Sequence, residues 1–352
     1  MSDRHLNRLP ALRGGLLALL AATLFGVSTP LVQKLGLSLG PFTTAALLYA
    51  GAAVIGATLR QRVEREARVL RSDLPRLLAV AFFGAVIGPV ALAWGLQRTS
   101  GTGASLMLTL EALFTVVLAW RLYGETMDRR VWAAMLLLLS GGVLLILDQG
   151  LAAGSQWVGL LAVLVATAAW GTDNTLSRAL AERDPGQVVL VKSALGATAT
   201  SALAIVASEP LPTLGIAAGL MIIGATGYGL SLRFYMLAQR EFGAARTGSV
   251  FAFAPFIGAA LAFGLGDRSA GWGMALGGLL MLVGVALHLA ESHDHAHEHE
   301  ALEHEHAHRH DDGHHEHTHH PTQEGAHSHR HGHEPSRHSH AHVPDVHHGH
   351  NH

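Results

Sequence analysis

The sequence predicts an all-α membrane protein: ten transmembrane helices in two inverted five-helix repeats, followed by a disordered tail. Three observations carry this reading. The chain is 49% hydrophobic and only 14% charged, well below the roughly 25% charged of an average soluble domain. Ten apolar runs of roughly 18–25 residues follow one another up to residue 290, each the length a helix needs to cross about 30 Å of hydrocarbon. Polar chemistry is pushed to the end: only His5 and His288 lie outside the tail, so 24 of the 26 histidines fall in residues 291–352. There are no cysteines, which excludes disulfides and thiolate metal sites. The formal net charge of −2 says little; the placement of the charges says more.

Residues 1–13 form a basic N-terminus. The first repeat, residues 14–148, holds apolar segments at about 14–34, 41–60, 74–97, 102–123 and 131–148. The second, residues 157–290, holds them at about 157–179, 187–207, 213–238, 246–266 and 271–290. The first segment lacks a small-residue cleavage site and nine more follow, so it reads as a span rather than a signal peptide. Arginines mark one side. They stand at Arg4, Arg8 and Arg13, in the run Arg60 to Arg76 after the second segment, and at Arg129 and Arg130 after the fourth. Arg178 with Arg183, and Arg240 with Arg246, follow the sixth and eighth. The alternate connections carry little beyond Arg98 and Arg268. Basic loops stay in the cytoplasm, so both termini and the tail are expected there, with the body in the inner (plasma) membrane.

Two stretches about 145 residues apart echo each other. "ATLFGVSTPLVQKL" (Ala22 to Leu35) and "ATAAWGTDNTLSRAL" (Ala166 to Leu180) each place an aromatic-glycine pair, Phe25-Gly26 and Trp170-Gly171, before a polar stretch. "AWRLYGE" (Ala119 to Glu125) is echoed by "AFGLGD" (Ala262 to Asp267). Five spans per repeat is odd, so the second copy enters the membrane in the opposite sense. Secondary transporters are commonly built this way, with the substrate site near the midplane between the halves.

These landmarks resemble those of the EamA-type permeases of the drug/metabolite transporter superfamily. The residues that carry the resemblance are Phe25-Gly26 with Lys34, "WGLQRTSGTGASLM" (Trp94 to Met107), Gly124-Glu125, Gly141-Gly142, Trp170-Gly171 and Pro255. It covers about residues 14–290 and implies export or exchange of small solutes. Two departures stand out. The family often carries an arginine in the second span, where this chain has "AALLYAGAAV"; it often has a proline in the middle of the fourth, where this chain has Glu111.

Ionisable groups inside a span are costly and are therefore functional candidates. Glu111 lies in "LTLEALFTV", where a carboxyl group serves either as a proton or cation carrier or as a neutral acid bonded to a neighbouring helix. Asp173 and Asn174 lie in "AAWGTDNTLSR", and Lys192 in "VVLVKSALG". At 1.5 Å per residue, Asp173 and Lys192 fall at similar depth, on the order of 8 Å from the cytoplasmic ends. They form either an ion pair that opens as access alternates or a static tie within the hairpin. Pro30 and Pro255 are expected to kink or break their helices and free carbonyls toward a cavity. Arg233, Lys34 and Arg98 snorkel, His288 is a helix-end histidine, and the glycines allow close helix packing. The expected cavity is lined by spans 1, 3, 4, 6, 8 and 9.

The tail has no apolar period and is expected to be disordered. His-x-His runs recur in it: His293, His295, His297 and His299; His304, His306, His308 and His310; His327, His329, His331 and His333. Between the last two runs lie His314, His315, His317, His319 and His320. Imidazole suits Ni, Zn, Co and Cu, and interspersed acids such as Glu298 and Asp311 add oxygen ligands, so the tail is expected to bind such metals.

No phosphate loop, nucleophile–base pair or zinc-protease pattern is present, so the chain is not expected to be an enzyme, to require a cofactor or to bind nucleic acid. Its partners are the lipid bilayer, a small solute or metal ion, and possible coupling protons. The leading expectation is proton-driven export of a divalent transition metal, Ni, Co or Zn, with the tail capturing metal. The alternatives are an exporter of amino acids or other metabolites whose tail buffers or senses metal, and a membrane-anchored metal store or sensor.

Overall fold

The computed structural model describes residues 8–60, 68–123, 129–152, 156–180, 183–242, 244–269, 271–289 and four tail strands. The body is helical throughout. The first repeat contains α1 (Arg8–Gly36) and α2 (Pro41–Thr58), then α3 (Leu74–Ala81), which passes through a π-helical stretch (Phe82–Ile87) into α4 (Gly88–Leu96). It ends with α5 (Gly101–Met107), α6 (Leu110–Tyr123) and α7 (Arg129–Ala152). The second repeat contains α8 (Gln156–Ser177), α9 (Pro185–Val206) and α10 (Leu214–Ile223), the last passing through a second π-helical stretch (Gly224–Leu230) into α11 (Ser231–Phe242). Then come α12 (Ala244–Phe251), α13 (Ala254–Gly264) and α14 (Trp272–Leu289).

The irregularities repeat as faithfully as the helices do. The third span of each half carries the π-helical stretch, and the fourth is broken in its middle, at residues 108–109 in one half and 252–253 in the other. Packing follows the same rule. α1 lies against α11 and α13, and its counterpart α8 lies against α4 and α6. α2 pairs with α9, α7 with α14 and α5 with α13. The dominant contacts therefore run between the halves, in a pseudo-two-fold arrangement. Small residues make the close approaches. A Cβ on Gly141 would stand 2.6 Å from the Gly277 carbonyl oxygen, and one on Gly277 3.0 Å from that of Gly141. Gly95 and Gly159 meet the same way between α4 and α8. Without a hydrophobic force between helices in lipid, such packing is what holds them.

Seven helical stretches among the described residues are long and apolar enough to cross a membrane: 12–36, 41–58, 71–96, 101–122, 129–148, 185–206 and 214–239. The expected count of ten is thus met by seven, with helices in the three remaining places. α8 carries Thr172, Asp173, Asn174, Thr175 and Ser177 in its last two turns, which lowers its hydropathy. α13 is short because its span is broken, and Trp272–Leu287 is a shorter apolar helix. Lipid-facing positions such as Leu16, Leu136, Val165, Ile222 and Leu279 are exposed large apolar side chains.

The described backbone of the tail forms β1 (His293–His299), β2 (Leu302–His308), β3 (His327–His333) and β4 (Ser336–His342). β1 pairs antiparallel with β4, and β2 with β3. The His-x-His alternation has a period of two, which is the period of a strand. The register sets His295 opposite His340 and His306 opposite His329.

Candidate functional site

Between the repeats lies a cavity of about 560 Å³, counting its open mouth. The first repeat lines it with Phe25 (α1), Tyr49 (α2) and Glu111 (α6). The second supplies Trp170, Asp173 and Asn174 (α8), Lys192 (α9), Gly227, Tyr228, Ser231, Leu232 and Tyr235 along the π stretch and α11, and Phe251 (α12). Seven spans contribute. Spans 2 and 7 replace span 3 of the expected lining, because Tyr49 and Lys192 are long enough to reach in from the flanking pair α2 and α9. Span 3 stands behind the wall and contributes backbone.

That backbone matters. The Gly84 carbonyl, in the first π stretch, accepts from the Trp170 indole Nε1–H at 2.9 Å and from the Tyr49 hydroxyl. A π turn widens the backbone, and a glycine lets other groups come close. A Cβ at Gly84 would run into the Asp173 carboxylate. One residue type at one position therefore seats Tyr49, Trp170 and Asp173 together.

Aromatic rings form a continuous chain around the cavity. Tyr49 meets Tyr228 at 5.6 Å between centroids, Tyr228 meets Trp170 at 6.4 Å, Trp170 meets Phe25 at 5.8 Å, Phe25 meets Phe251 at 5.4 Å, and Phe251 meets Tyr235 at 5.0 Å. The buried Tyr228 hydroxyl lies beside Ser28 but has no hydrogen-bond partner; the Ser28 hydroxyl donates instead to the Phe25 carbonyl at 2.6 Å.

The charged residues divide into two groups. Asp173 and Lys192, 4% and 5% exposed, form a salt bridge through Asp173 Oδ2, and the Ser177 hydroxyl donates to Oδ1 at 3.2 Å. Glu111 is the second residue of α6, just past the break in its span, and Pro255 is the second residue of α13 in the matching place. Glu111 Oε1 accepts from Asn174 Nδ2 at 2.5 Å.

Four of the sequence-derived candidates, Glu111, Asp173, Asn174 and Lys192, thus meet at one cavity. Pro30 and Pro255 do not line it. Pro30 stays inside the continuous α1, and Pro255 opens α13 after the break. His310, His314, His315, His317, His319 and His320 lie outside the described residues, as does Gly124-Glu125. The other tail histidines named above lie on β1, β2 and β3, whose backbone alone is described. Among the described residues, no group of three or more His, Asp or Glu is placed to hold a metal ion. Sequence reasoning missed Tyr49, Tyr228, Tyr235 and Phe251. Only Tyr228 carried a signal: it is flanked by glycines in "ATGYGLS", and those glycines read as packing.

On the face where α1 ends, the connections are tied to one another. Gln33 donates to the Leu96 and Thr99 carbonyls at 3.1 and 2.9 Å, and Gln97 to those of Gly36 and Leu39 at 3.3 and 2.7 Å. Two carboxylates reach from the second repeat onto helix starts of the first. Glu209 accepts from the Phe42 and Thr43 amides at 3.2 and 2.7 Å. Ser208, in the left-handed region at φ 52°, turns the chain to place it. Asp267 accepts from the Thr102 amide at 2.8 Å and from the Ser269 amide and hydroxyl at 3.0 and 2.6 Å. On the opposite face, Arg183 Nε donates to Asp73 at 2.9 Å.

Comparison with known proteins agrees with this architecture. The model of the EamA-like transporter family matches twice, at residues 12–147 and 157–290. An uncharacterized transporter of Methanothermobacter thermautotrophicus is 28% identical over 293 residues, covering 77% of this chain and 84% of that protein. A solved crystal structure shares the fold with a TM-score of 0.56 at 19% identity, covering 79% of this chain and 94% of that one.

Proposed function

The chain belongs to the EamA-like transporter family, and we propose that it is a secondary exporter that carries a small organic solute through the cavity between its repeats. It is a membrane transporter and not an enzyme; the nature of the solute is the proposal. The observation that supports it is the cavity wall. Six aromatic rings, one salt bridge and one carboxyl–amide pair suit an organic body with a few polar handles, which is the usual make-up of a small-molecule site. Asp173 is committed to Lys192, so Glu111 is left without the several oxygen or imidazole ligands that a divalent metal takes.

Glu111 is proposed as the group that exchanges a proton for solute, and the Asp173–Lys192 pair as a tie that opens when the halves rock. The arginine-rich connections favour an inner-membrane protein with both termini and the tail in the cytoplasm, with all ten helical segments crossing.

A second reading keeps a transition metal as cargo. It rests on the histidines of the tail, which in the first reading bind Ni, Zn, Co or Cu as a buffer or sensor. One experiment separates the two. Proteoliposomes holding the chain without residues 291–352 should show proton-dependent uptake of organic amines or amino acids, and Ni, Co and Zn flux at background. Metal flux in that protein, with organic flux at background, would reverse the assignment. Glu111→Gln should remove the pH dependence of whichever flux is found.

A further inference from the structure

Resting on the organic-solute reading, we infer that the cavity selects an organic cation: a small ammonium compound with an apolar, preferably aromatic, body and no carboxylate. The described lining residues carry two acids, Glu111 and Asp173, and one base, Lys192. Lys192 and Asp173 neutralise each other in a buried salt bridge. The formal balance of the described wall, two negative and one positive, is therefore −1, and it resides on Glu111.

Glu111 is only half-buried and turns toward the open volume; one oxygen is held by Asn174. Arg233, on the same span as Tyr228 and Tyr235, does not line the cavity. Among the described lining residues a carboxylate solute would find no available cation, because Lys192 would first have to leave Asp173 inside a low-dielectric wall.

The rings supply the second half of the argument. Aromatic faces carry the negative end of the ring quadrupole and attract an ammonium group within about 6 Å. Here Tyr49, Tyr228, Trp170, Phe25, Phe251 and Tyr235 form an unbroken chain, with centroid separations of 5.0 to 6.4 Å. The polar ends of two of them are turned into the wall. The Trp170 Nε1–H and the Tyr49 hydroxyl both donate to the Gly84 carbonyl, so their rings rather than their donors are free for a ligand. The cavity is a cage of rings with one lining carboxylate, Glu111, outside the salt bridge.

Titration calorimetry on the full-length protein in detergent, with chelator present to silence the tail, tests this on four probes of one shape. These are benzyltrimethylammonium, benzylamine, phenylalanine and 3-phenylpropionate. The two cations should bind at least tenfold more tightly than phenylalanine, and 3-phenylpropionate should not bind measurably. Glu111→Gln should weaken both cations at least tenfold. Trp170→Leu should weaken them at least threefold; the wild-type ranking stands as a test even if that variant fails to fold.

Phenylalanine binding as tightly as benzylamine, or 3-phenylpropionate binding at all, would overturn the cation assignment while leaving the organic-solute reading intact. No binding of any probe would also overturn it. The organic-solute reading itself fails separately, on metal flux through the tail-free protein.

Discussion

Phe25 and Trp170 meet edge to face, 5.8 Å apart between ring centroids. They are the first residues of the two aromatic-glycine landmarks, one in each repeat. The internal echo in the sequence therefore closes on itself in space: the two copies supply facing walls of one cavity. The glycines behind them are used for close approach as well. Gly171 packs on Phe114 and the backbone of Thr115, and Gly26 on the Ala254 carbonyl, so each ring is pressed inward by a helix contact at its back.

Trp170 serves both packing and polarity, and two variants separate them. Trp170→Phe keeps a ring against Phe25 and removes one of the two donors to the Gly84 carbonyl. Loss of one hydrogen bond is worth about 1 kcal/mol, so a small drop in thermal stability is expected, with solute affinity nearly kept. Trp170→Ala removes the ring and should destabilise by about 3–5 kcal/mol. Equal melting temperatures for the two variants would show that the ring does not pack as described.

The Asp173–Lys192 pair calls for a double-mutant cycle. Either Asp173→Asn or Lys192→Met alone leaves a buried charge without its partner and should destabilise by about 3–5 kcal/mol. The double variant removes both charges and should recover most of that. Thermal unfolding reads the stability side, and proteoliposome flux reads the functional side. If the double variant is stable and transports normally, the pair is a static tie; a stable double variant that does not transport supports a working pair.

The sequence showed the charges of the site far better than its walls. Glu111, Asp173 and Lys192 stand out because an ionisable residue in an apolar run has no ordinary reason to be there. Tyr49 in "AALLYAGAAV" and Phe251 in "GSVFAFAP" look like any other residue of a span. Their convergence depends on how each helix is rotated, and the spacing of residues in a nearly all-apolar helix does not encode rotation. Helix number shows the same limit. The polar turn that puts Asp173 and Asn174 of α8 at the cavity is also what lowers its hydropathy, so a span that carries site charges is hard to read as a span. The packing of α1 on α11 and α13 is likewise invisible in hydropathy, though the small residues that permit it, Gly26 and Gly258, were countable.

The tail is testable by itself. Removing residues 291–352 is expected to leave the helical body intact, because the main packing of the described helices is with one another and that of the strands with each other. Calorimetry should show that Ni and Zn binding falls to a small residue of sites in the shortened protein. Solute flux should persist, reduced less than tenfold if the tail only buffers or senses metal. Undiminished metal binding after truncation would place the metal sites in the body instead.

Glu209 and Asp267 both reach from the second repeat to cap helix starts in the first, α2 and α5. Together with the glutamine bonds they tie the connections on one face of the bundle, and each is expected to act as a latch of the rocking halves. Partial burial raises the affinity of the Asp267 carboxyl for its proton. Hydrogen bonds from the Ser269 side chain and the Thr102 and Ser269 amides outweigh it and hold the group below the ordinary aspartate value. A group depressed in the folded state stabilises above its unfolded value, about 3.9, and loses that contribution as pH falls through the folded value. The melting temperature of wild type should therefore exceed that of Asp267→Asn by a constant margin from pH 8 to 5, and the margin should shrink below about pH 4. The absence of cysteine gives a clean background for a second readout. Ser105→Cys places a thiol at a fully buried position behind the latch. At pH 7 its labelling by a membrane-impermeant maleimide should be slow, and several-fold faster when Asp267→Asn or Glu209→Gln is added. Labelling rates unchanged by either substitution would mean that these carboxylates cap their helices without holding the face shut.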